Sequence, residues 1–207
     1  VPGRARLGML TFLVAAAASP LITSNRELIE RAGGRIISLE EGVMGSVAVI
    51  ENASSERVLK FNNRFQMGGT AARIAEQRQA DIPLLLHPNP KRALFIGLGT
   101  GISFATAAHH PALTAEGVEL VPEIANAIPL FNDSTLNSAN LIIHVADGRR
   151  FVRVTTNRYD VIVADLFHPA QDGAGFLYTR EHFQAIRDRL ADDGLFCQWL
   201  PLHQMDM

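Results

Sequence analysis

The sequence predicts an α/β protein in which a small antiparallel β unit precedes a doubly wound parallel sheet. Between residues 35 and 66, apolar and polar side chains alternate with a period of two, and Gly42, Gly45 and a polar stretch at 52–55 separate the runs. That pattern is typical of an antiparallel meander. From residue 91 onward, short apolar runs alternate with helical segments. Nearly all-apolar strands separated by helices indicate a parallel sheet that is covered on both faces.

The predicted elements follow in chain order. Residues 70–86 carry apolar side chains at helical spacing, and the helix should end near Pro88 and Pro90 because proline cannot continue it. The parallel part is predicted from strands at 93–96, 115–120, 141–147, 159–167 and 194–200, with helices at 103–109, 122–131, 148–154 and 179–190. The chain therefore divides into a segment at 1–34, a β unit with its connecting helix at 35–90, and a parallel α/β domain at 91–207.

Both ends of the chain carry expectations of their own. An apolar run at residues 7–22 follows Arg4 and Arg6 and is interrupted by Pro20. It is shorter than the ~20 residues that cross a bilayer, so a signal peptide, the end of a transmembrane helix and a buried helix all remain open, and membrane association is one expectation. The chain stops at Met207 soon after the last predicted strand. We expect the parallel sheet to be truncated there, with an edge that further residues or another chain would cover.

Composition excludes several kinds of function. The 19 basic and 21 acidic residues give a formal net charge of -2, so no general attraction to nucleic acid is expected. The single cysteine, Cys197, allows neither an intrachain disulfide nor a cysteine-based zinc site. The seven histidines form no H-E-x-x-H or comparable spacing. We therefore expect no nucleic-acid partner and no metal.

A glycine loop follows the first predicted parallel strand. Gly97, Gly99, Thr100 and Gly101 belong to the sequence GLGTG, and a helix is predicted directly afterwards. Glycine permits a tight turn and lets a ligand approach the backbone beside the helix N-terminus. The third glycine comes one residue earlier than in the dinucleotide pattern G-x-G-x-x-G. This spacing favours a Rossmann-like domain that binds a nucleoside without a pyrophosphate, although a plain strand-to-helix turn is the simpler alternative.

Three acidic residues end the next predicted strands. Glu119 lies 22 residues after Gly97, near the position at which a carboxylate binds ribose hydroxyls. Asp147 is placed to accept from an adenine amine, or to cap the helix that follows. Asp165 follows an apolar strand, where loss of water would raise its pKa and suit it to general-base catalysis. The carboxyl ends of parallel strands meet at one sheet edge, so these residues form one candidate site.

These motifs together resemble the spermidine synthase (polyamine aminopropyltransferase) family. The resemblance covers roughly residues 40–200 and rests on HPNPKRALFIGLGTG, VELVPEI, VADGRRFV, YDVIVADLFHP and LYTREHF in that order. It implies that Gln66 and the glycine loop flank decarboxylated S-adenosylmethionine, that Glu119 binds its ribose and that Asp147 binds its adenine amine. Asp165 would then lie next to the attacking amine of an acceptor such as putrescine.

Three residues depart from the family's pattern on the side that binds the cationic substrate. Thr100 stands where the glycine loop usually has an aspartate, His168 replaces the second aspartate of a D-S-x-D-P motif, and Ala75 replaces a tyrosine. Loss of two acidic groups would weaken polyamine binding, and a protonated His168 would repel a diamine. We expect an acceptor that differs from putrescine or binds more weakly.

The resemblance implies a cytoplasmic transferase, or one at the cytoplasmic face of a membrane if residues 7–22 are a membrane remnant. It also implies a homodimer. Two other functions remain open at this point. A methyltransferase would use intact S-adenosylmethionine, whose extra carboxylate would no longer be repelled by an acid at position 100. A diverged domain could instead bind a nucleoside without catalysis.

Overall fold

The computed structural model describes residues 34–132, 136, 138–165 and 173–200. The small unit is a four-stranded antiparallel sheet in the order β1-β2-β3-β4. Its strands are β1 (Arg35–Glu41), β2 (Ser46–Glu51), β3 (Arg57–Phe61) and β4 (Phe65–Gly69). The predicted meander is confirmed. Its last strand runs to Gly69, and a 3₁₀ turn at Thr70–Ala72 then leads into helix α1 (Arg73–Leu86).

The second unit is a five-stranded parallel sheet in the order β7-β6-β5-β8-β9. Its strands are β5 (Arg92–Ile96), β6 (Thr114–Glu119), β7 (Leu141–Val145), β8 (Tyr159–Ala164) and β9 (Leu190–Gln198). The chain begins in the middle of the sheet, moves outward to β7, and then returns to the other side of β5. The order therefore reverses between β5 and β8, which is where open α/β sheets bind their ligands.

The helices of this unit largely follow the predicted pattern. They are α2 (Ile102–Thr106), α3 (Pro122–Ala127), α4 (Pro129–Asn132), α5 (Gly148–Val154) and α6 (Arg180–Arg189). The single helix predicted at 122–131 is divided in two, because Pro129 has no N–H to donate. The helix predicted at 103–109 ends as a 3₁₀ turn at Ala107–His109. The fold is the predicted α/β class.

The two sheets share buried contacts. One apolar cluster joins Val47, Val49 and Leu59 of the small sheet to side chains of α2, α3 and α4, among them Ile102 and Phe131. Two further clusters lie on the two faces of the parallel sheet, one around Phe95 and Phe104, the other around Ile96 and Tyr159. The small sheet is thereby held close to the carboxyl end of β5, where the glycine loop begins.

Two expectations about the chain ends concern residues outside the described ranges. The apolar run at 7–22 lies wholly there, and so does the chain from 201 onward. Among the described residues, none of the helices has the length and apolar character that crossing a bilayer requires. Within the same residues, β9 pairs on one side only, with β8.

Candidate functional site

The glycine loop turns sharply between β5 and α2. Gly97, Gly99 and Gly101 adopt φ values of 75°, 51° and 70°, a region that residues with a Cβ rarely enter. The Gly101 N–H donates to the Leu98 carbonyl at 2.7 Å and closes the turn. A Cβ on Gly101 would lie 2.4 Å from Cγ2 of Ile128. Glycine is therefore required here by backbone conformation and by close packing.

Glu119 lies at the end of β6 with only 4% of its surface exposed. Its Oε2 accepts hydrogen bonds from the backbone N–H groups of Leu98 and Gly99, at 3.0 and 3.4 Å. Its Oε1 accepts from the backbone N–H of Val121 at 3.0 Å. A carboxylate has about four acceptor positions, so capacity remains for a ligand hydroxyl. Glu119, which the sequence places in one candidate site with the glycine loop, is therefore bonded directly to that loop.

Asp165 is the first residue after β8, and it faces the same loop. Its backbone N–H donates to the Ile96 carbonyl at 3.0 Å, which fixes the end of β8 beside β5. A Cβ built on Gly99 would lie 3.9 Å from Oδ2 of Asp165. A cavity of ≈ 10 Å³ lies beside the loop, lined in part by Gly97, Asp165 and Trp199. The Glu119 and Asp165 carboxylates thus contact or approach one loop from β6 and β8, the two strands that flank β5.

Asp147 and Gln66 occupy the periphery of this arrangement. Asp147 caps α5, because its Oδ1 accepts from the backbone N–H of Arg150 at 2.9 Å. Asp147 therefore caps the helix through Oδ1, and Oδ2 does not take part in that hydrogen bond. Gln66 is exposed on β4 and pairs with Lys60 of β3. The carbonyl of the next residue, Met67, lies 3.1 Å from a Cβ built on Gly99, so β4 borders the loop.

Thr100 is 2% exposed, and its hydroxyl donates to the carboxylate of Glu76 on α1. Burial raises the pKa of Glu76 above its usual range, against the lowering effects of the Thr100 and Gly69 hydrogen bonds and of Arg73. Glu76 lies outside every sequence motif that predicts the site. Its position could have been noticed from the sequence, because Glu76 directly follows Ala75 on the helix that precedes the glycine loop.

Two of the three departures can be located. Thr100 lies within the loop, and Ala75 is exposed on α1. His168 falls outside the described residues, so its expected effect on the binding of a cationic acceptor stays a prediction.

One group of side chains has the composition of a metal site. Ligand atoms of His87, Asp160 and Asp193 lie within 4.8 Å of one another. Nδ1 of His87 accepts from the backbone N–H of Asn89 at 3.3 Å. Nδ1 is then unprotonated, and Nε2 of the neutral ring carries the proton and cannot bind a cation. Asp160 Oδ2 already accepts from the N–H groups of Lys91 and Arg92. The arrangement is that of a polar structural contact.

Comparison with known proteins identifies the family to which this chain belongs. A family model described as "Spermine/spermidine synthase domain" matches residues 74–200, more than half of the chain. The chain belongs to the spermine/spermidine synthase family. A polyamine aminopropyltransferase of Thermotoga neapolitana is 35% identical to this family member over 121 residues, which are 56% of this chain and 41% of that protein.

Solved structures agree with the family. Spermidine synthase from Thermotoga maritima has a TM-score of 0.69 at 27% identity, covering 79% of this chain and 56% of that one. A spermidine synthase in complex with the transition-state analogue AdoDATO has a TM-score of 0.68 at 25% identity, with the same two coverages. This member of the spermine/spermidine synthase family therefore spans about half the length of the relatives that it matches.

Proposed function

We propose that this protein is an aminopropyltransferase that uses decarboxylated S-adenosylmethionine and a small amine such as putrescine. The observation that carries the proposal is the meeting of the glycine loop, Glu119 and Asp165 at one sheet edge. Family membership supports the same chemistry. A relative of similar fold has been crystallised with a transition-state analogue.

The nucleoside half of the donor would lie along the carboxyl ends of β5, β6 and β7. Glu119 would accept from the ribose hydroxyls, because backbone donors fix the direction of its carboxylate. Asp147, at the end of the neighbouring strand, would accept from the adenine amine while it caps α5. Gln66 and the bare backbone of the glycine loop would flank the sulfonium. Each of these residues contributes binding and orientation to the reaction.

The transfer itself is an in-line displacement. The nitrogen of the acceptor amine attacks the aminopropyl carbon next to sulfur, a C–N bond forms, and the C–S bond breaks. The bonding pair goes to sulfur, so the sulfonium leaves as neutral methylthioadenosine. An alkylammonium with a pKa of about 10.4 must first lose a proton. The Asp165 carboxylate would take that proton and hold the cationic acceptor in place.

The acceptor side has fewer acidic groups than the family resemblance leads one to expect. His168 and Ala75 replace an acid and a tyrosine there. Because a charge-assisted hydrogen bond is worth about 1.5–3 kcal/mol, we expect putrescine to bind weakly or to be replaced by another amine. A homodimer, as the resemblance implies, belongs to the same proposal.

Mass spectrometry of reaction products tests the activity. The full chain is incubated with decarboxylated S-adenosylmethionine and a panel of amines, and methylthioadenosine and aminopropylated amines are measured. The Asp165→Asn variant should lose about 10²–10⁴-fold in kcat, the usual range for a general base. Its affinity for methylthioadenosine, measured by calorimetry, should remain.

Asp160→Asn is the matched control, because Asp160 begins the same strand at the opposite edge of the sheet. It should keep the wild-type rate. Absence of methylthioadenosine formation by the wild-type chain with every amine would refute the proposed activity. An undiminished rate in Asp165→Asn would refute the role of Asp165 alone.

A further inference from the structure

We infer that Asn132, the last residue of α4, is a positioning residue that holds the glycine loop in the conformation to which the donor nucleoside binds. The inference rests on the proposed function, which supplies the donor and its place beside the loop. It assigns a role in the reaction to a buried amide that acts on the donor through the loop backbone.

The hydrogen bonds of Asn132 support the assignment first. The residue is only 3% exposed. Its Nδ2 donates to the Thr100 carbonyl at 2.7 Å and to the Ile128 carbonyl at 3.0 Å. Both partners are acceptors, so the NH₂ group rather than Oδ1 must face them. The amide therefore joins the glycine loop to the junction between α3 and α4.

The peptide unit between Thr100 and Gly101 is fixed at both of its polar atoms. Its carbonyl accepts from Asn132, and its N–H donates to the Leu98 carbonyl at 2.7 Å. The Leu98 N–H in turn donates to Oε2 of Glu119 at 3.0 Å. Because glycine places few steric limits on the backbone, the shape of this loop depends on such bonds. Asn132 fixes the second half of the loop as Glu119 fixes the first.

The end of α4 also packs closely against the loop. A Cβ on Gly101 would lie 3.3 Å from Nδ2 of Asn132. Phe131, at 2% exposure, belongs to the same apolar cluster as Ile102, the first residue of α2. A shift of α4 would therefore act on the loop and on the first turn of α2 together.

Two arginines from other elements hold α4 in place. The helix has four residues, and so short a helix is not stable in isolation. Arg57 of β3 donates to the Leu130 carbonyl at 2.5 Å, and Arg73 at the start of α1 donates to the Phe131 carbonyl at 2.6 Å. Nε of Arg57 also donates to Glu51 of β2 at 3.3 Å. The small sheet thereby contributes to the position of the Asn132 amide.

A fixed loop affects the donor and not the acceptor. A nucleoside binds more tightly to a backbone that already has the bound conformation. A small displacement of the reacting carbon lowers the rate steeply. Loss of the Asn132 amide should therefore reduce donor affinity and kcat while the KM for the acceptor amine stays unchanged. A residue that only stabilised the fold would not distinguish the two substrates.

Asn132→Leu tests the inference on the full chain. It should weaken methylthioadenosine binding about 10-fold in calorimetry and lower kcat about 10- to 100-fold. The KM for the amine, measured at saturating donor, should stay at the wild-type value. Asn140→Leu is the matched control, because Nδ2 of Asn140 donates to the Leu113 carbonyl at 2.7 Å, next to the first residue of β6. It should change neither methylthioadenosine affinity nor kcat.

A second pair of variants decides the question if Asn132→Leu does not fold. Arg57→Met removes the bond from β3 to α4 and should weaken methylthioadenosine binding about 3-fold. Arg35 also bonds to Glu51, at 2.7 Å, and among the described residues it makes no hydrogen bond to α4. Arg35→Met should therefore leave the affinity unchanged. Equal affinities in these two variants would overturn the inference.

The remaining outcomes separate this inference from the proposed function. Wild-type methylthioadenosine affinity in Asn132→Leu would overturn the inference, and so would an equal loss in Asn140→Leu. If the wild-type chain binds methylthioadenosine but forms no aminopropylated product, the proposed function fails and the affinities of the variants still decide the role of Asn132. If the wild-type chain neither binds methylthioadenosine nor forms product, both fail.

Discussion

Oε2 of Glu119 lies 3.0 Å from the backbone nitrogen of Leu98, so the acid that ends β6 is bonded directly to the loop that follows β5. In Glu119→Gln, an NH₂ group must face one of the backbone N–H donors that the carboxylate now accepts. A buried donor without a partner costs about 1–3 kcal/mol. The free energy of unfolding should fall by that amount in urea titrations, and methylthioadenosine affinity should fall by about 10-fold or more.

Glu116 provides the matched control for that prediction. It is a second buried glutamate on β6, at 6% exposure, and it accepts from Asn157 and Tyr159 away from the glycine loop. Glu116→Gln should also lower stability, while methylthioadenosine affinity stays at the wild-type value. Equal affinity losses in the two variants would show that the effect of Glu119→Gln is general destabilisation.

Alanine substitutions at Gly101 and Gly173 distinguish the cost of backbone strain from the cost of steric overlap. Both have positive φ, 70° and 83°, but a Cβ on Gly101 would lie 2.4 Å from Ile128 and a Cβ on Gly173 would meet nothing within 4 Å. Gly173→Ala should cost about 1 kcal/mol of unfolding free energy from strain alone. Gly101→Ala should cost about 1–3 kcal/mol more, because overpacking is added. Similar costs in urea unfolding would contradict the packing argument at Gly101.

The succession of strands and helices, and the type of each sheet, could be predicted because both depend on local sequence patterns. Period-two alternation before residue 66 and apolar runs after residue 91 specify which sheet is antiparallel and which is parallel. The approach of Glu119 and Asp165 to the glycine loop follows from one rule, that parallel strands end at the same edge.

Glu76 could not be found in the same way. It lies inside a helix rather than at a strand end, and its contact with Thr100 depends on how α1 packs against α2. Helical periodicity specifies the face of a helix but not the partner across it. The helix predicted at 122–131 is divided at Pro129. The missing N–H of a proline is a local signal that helical periodicity does not report.

Asp160 should contribute stability without contributing to ligand binding. Its Oδ2 accepts from the backbone N–H groups of Lys91 and Arg92, at 2.6 and 2.9 Å, and so fixes the start of β5. Asp160→Ala removes both bonds at a partly exposed site. We expect a loss of about 1–2 kcal/mol in unfolding free energy with methylthioadenosine affinity unchanged. A fall in affinity measured by calorimetry would show that the start of β5 influences the loop at its other end.

His182 should make the protein less stable in mild acid. The ring is 1% exposed, and neither ring nitrogen has a hydrogen-bond partner among the described residues. Burial lowers its pKa, Arg149 adds to that effect, and Asp147 opposes it. The folded protein therefore holds the ring neutral, whereas the unfolded chain binds a proton below a pKa of about 6.5.

Because the unfolded state then binds more protons, stability is present above that pKa and is lost as the pH falls below it. The loss can reach about 1.4 kcal/mol per pH unit. His182→Leu should flatten the dependence in urea titrations between about pH 7.5 and pH 5.5, and His109→Leu, at an exposed position, controls for removal of an imidazole. A slope that survives in His182→Leu would mean that another group titrates on unfolding.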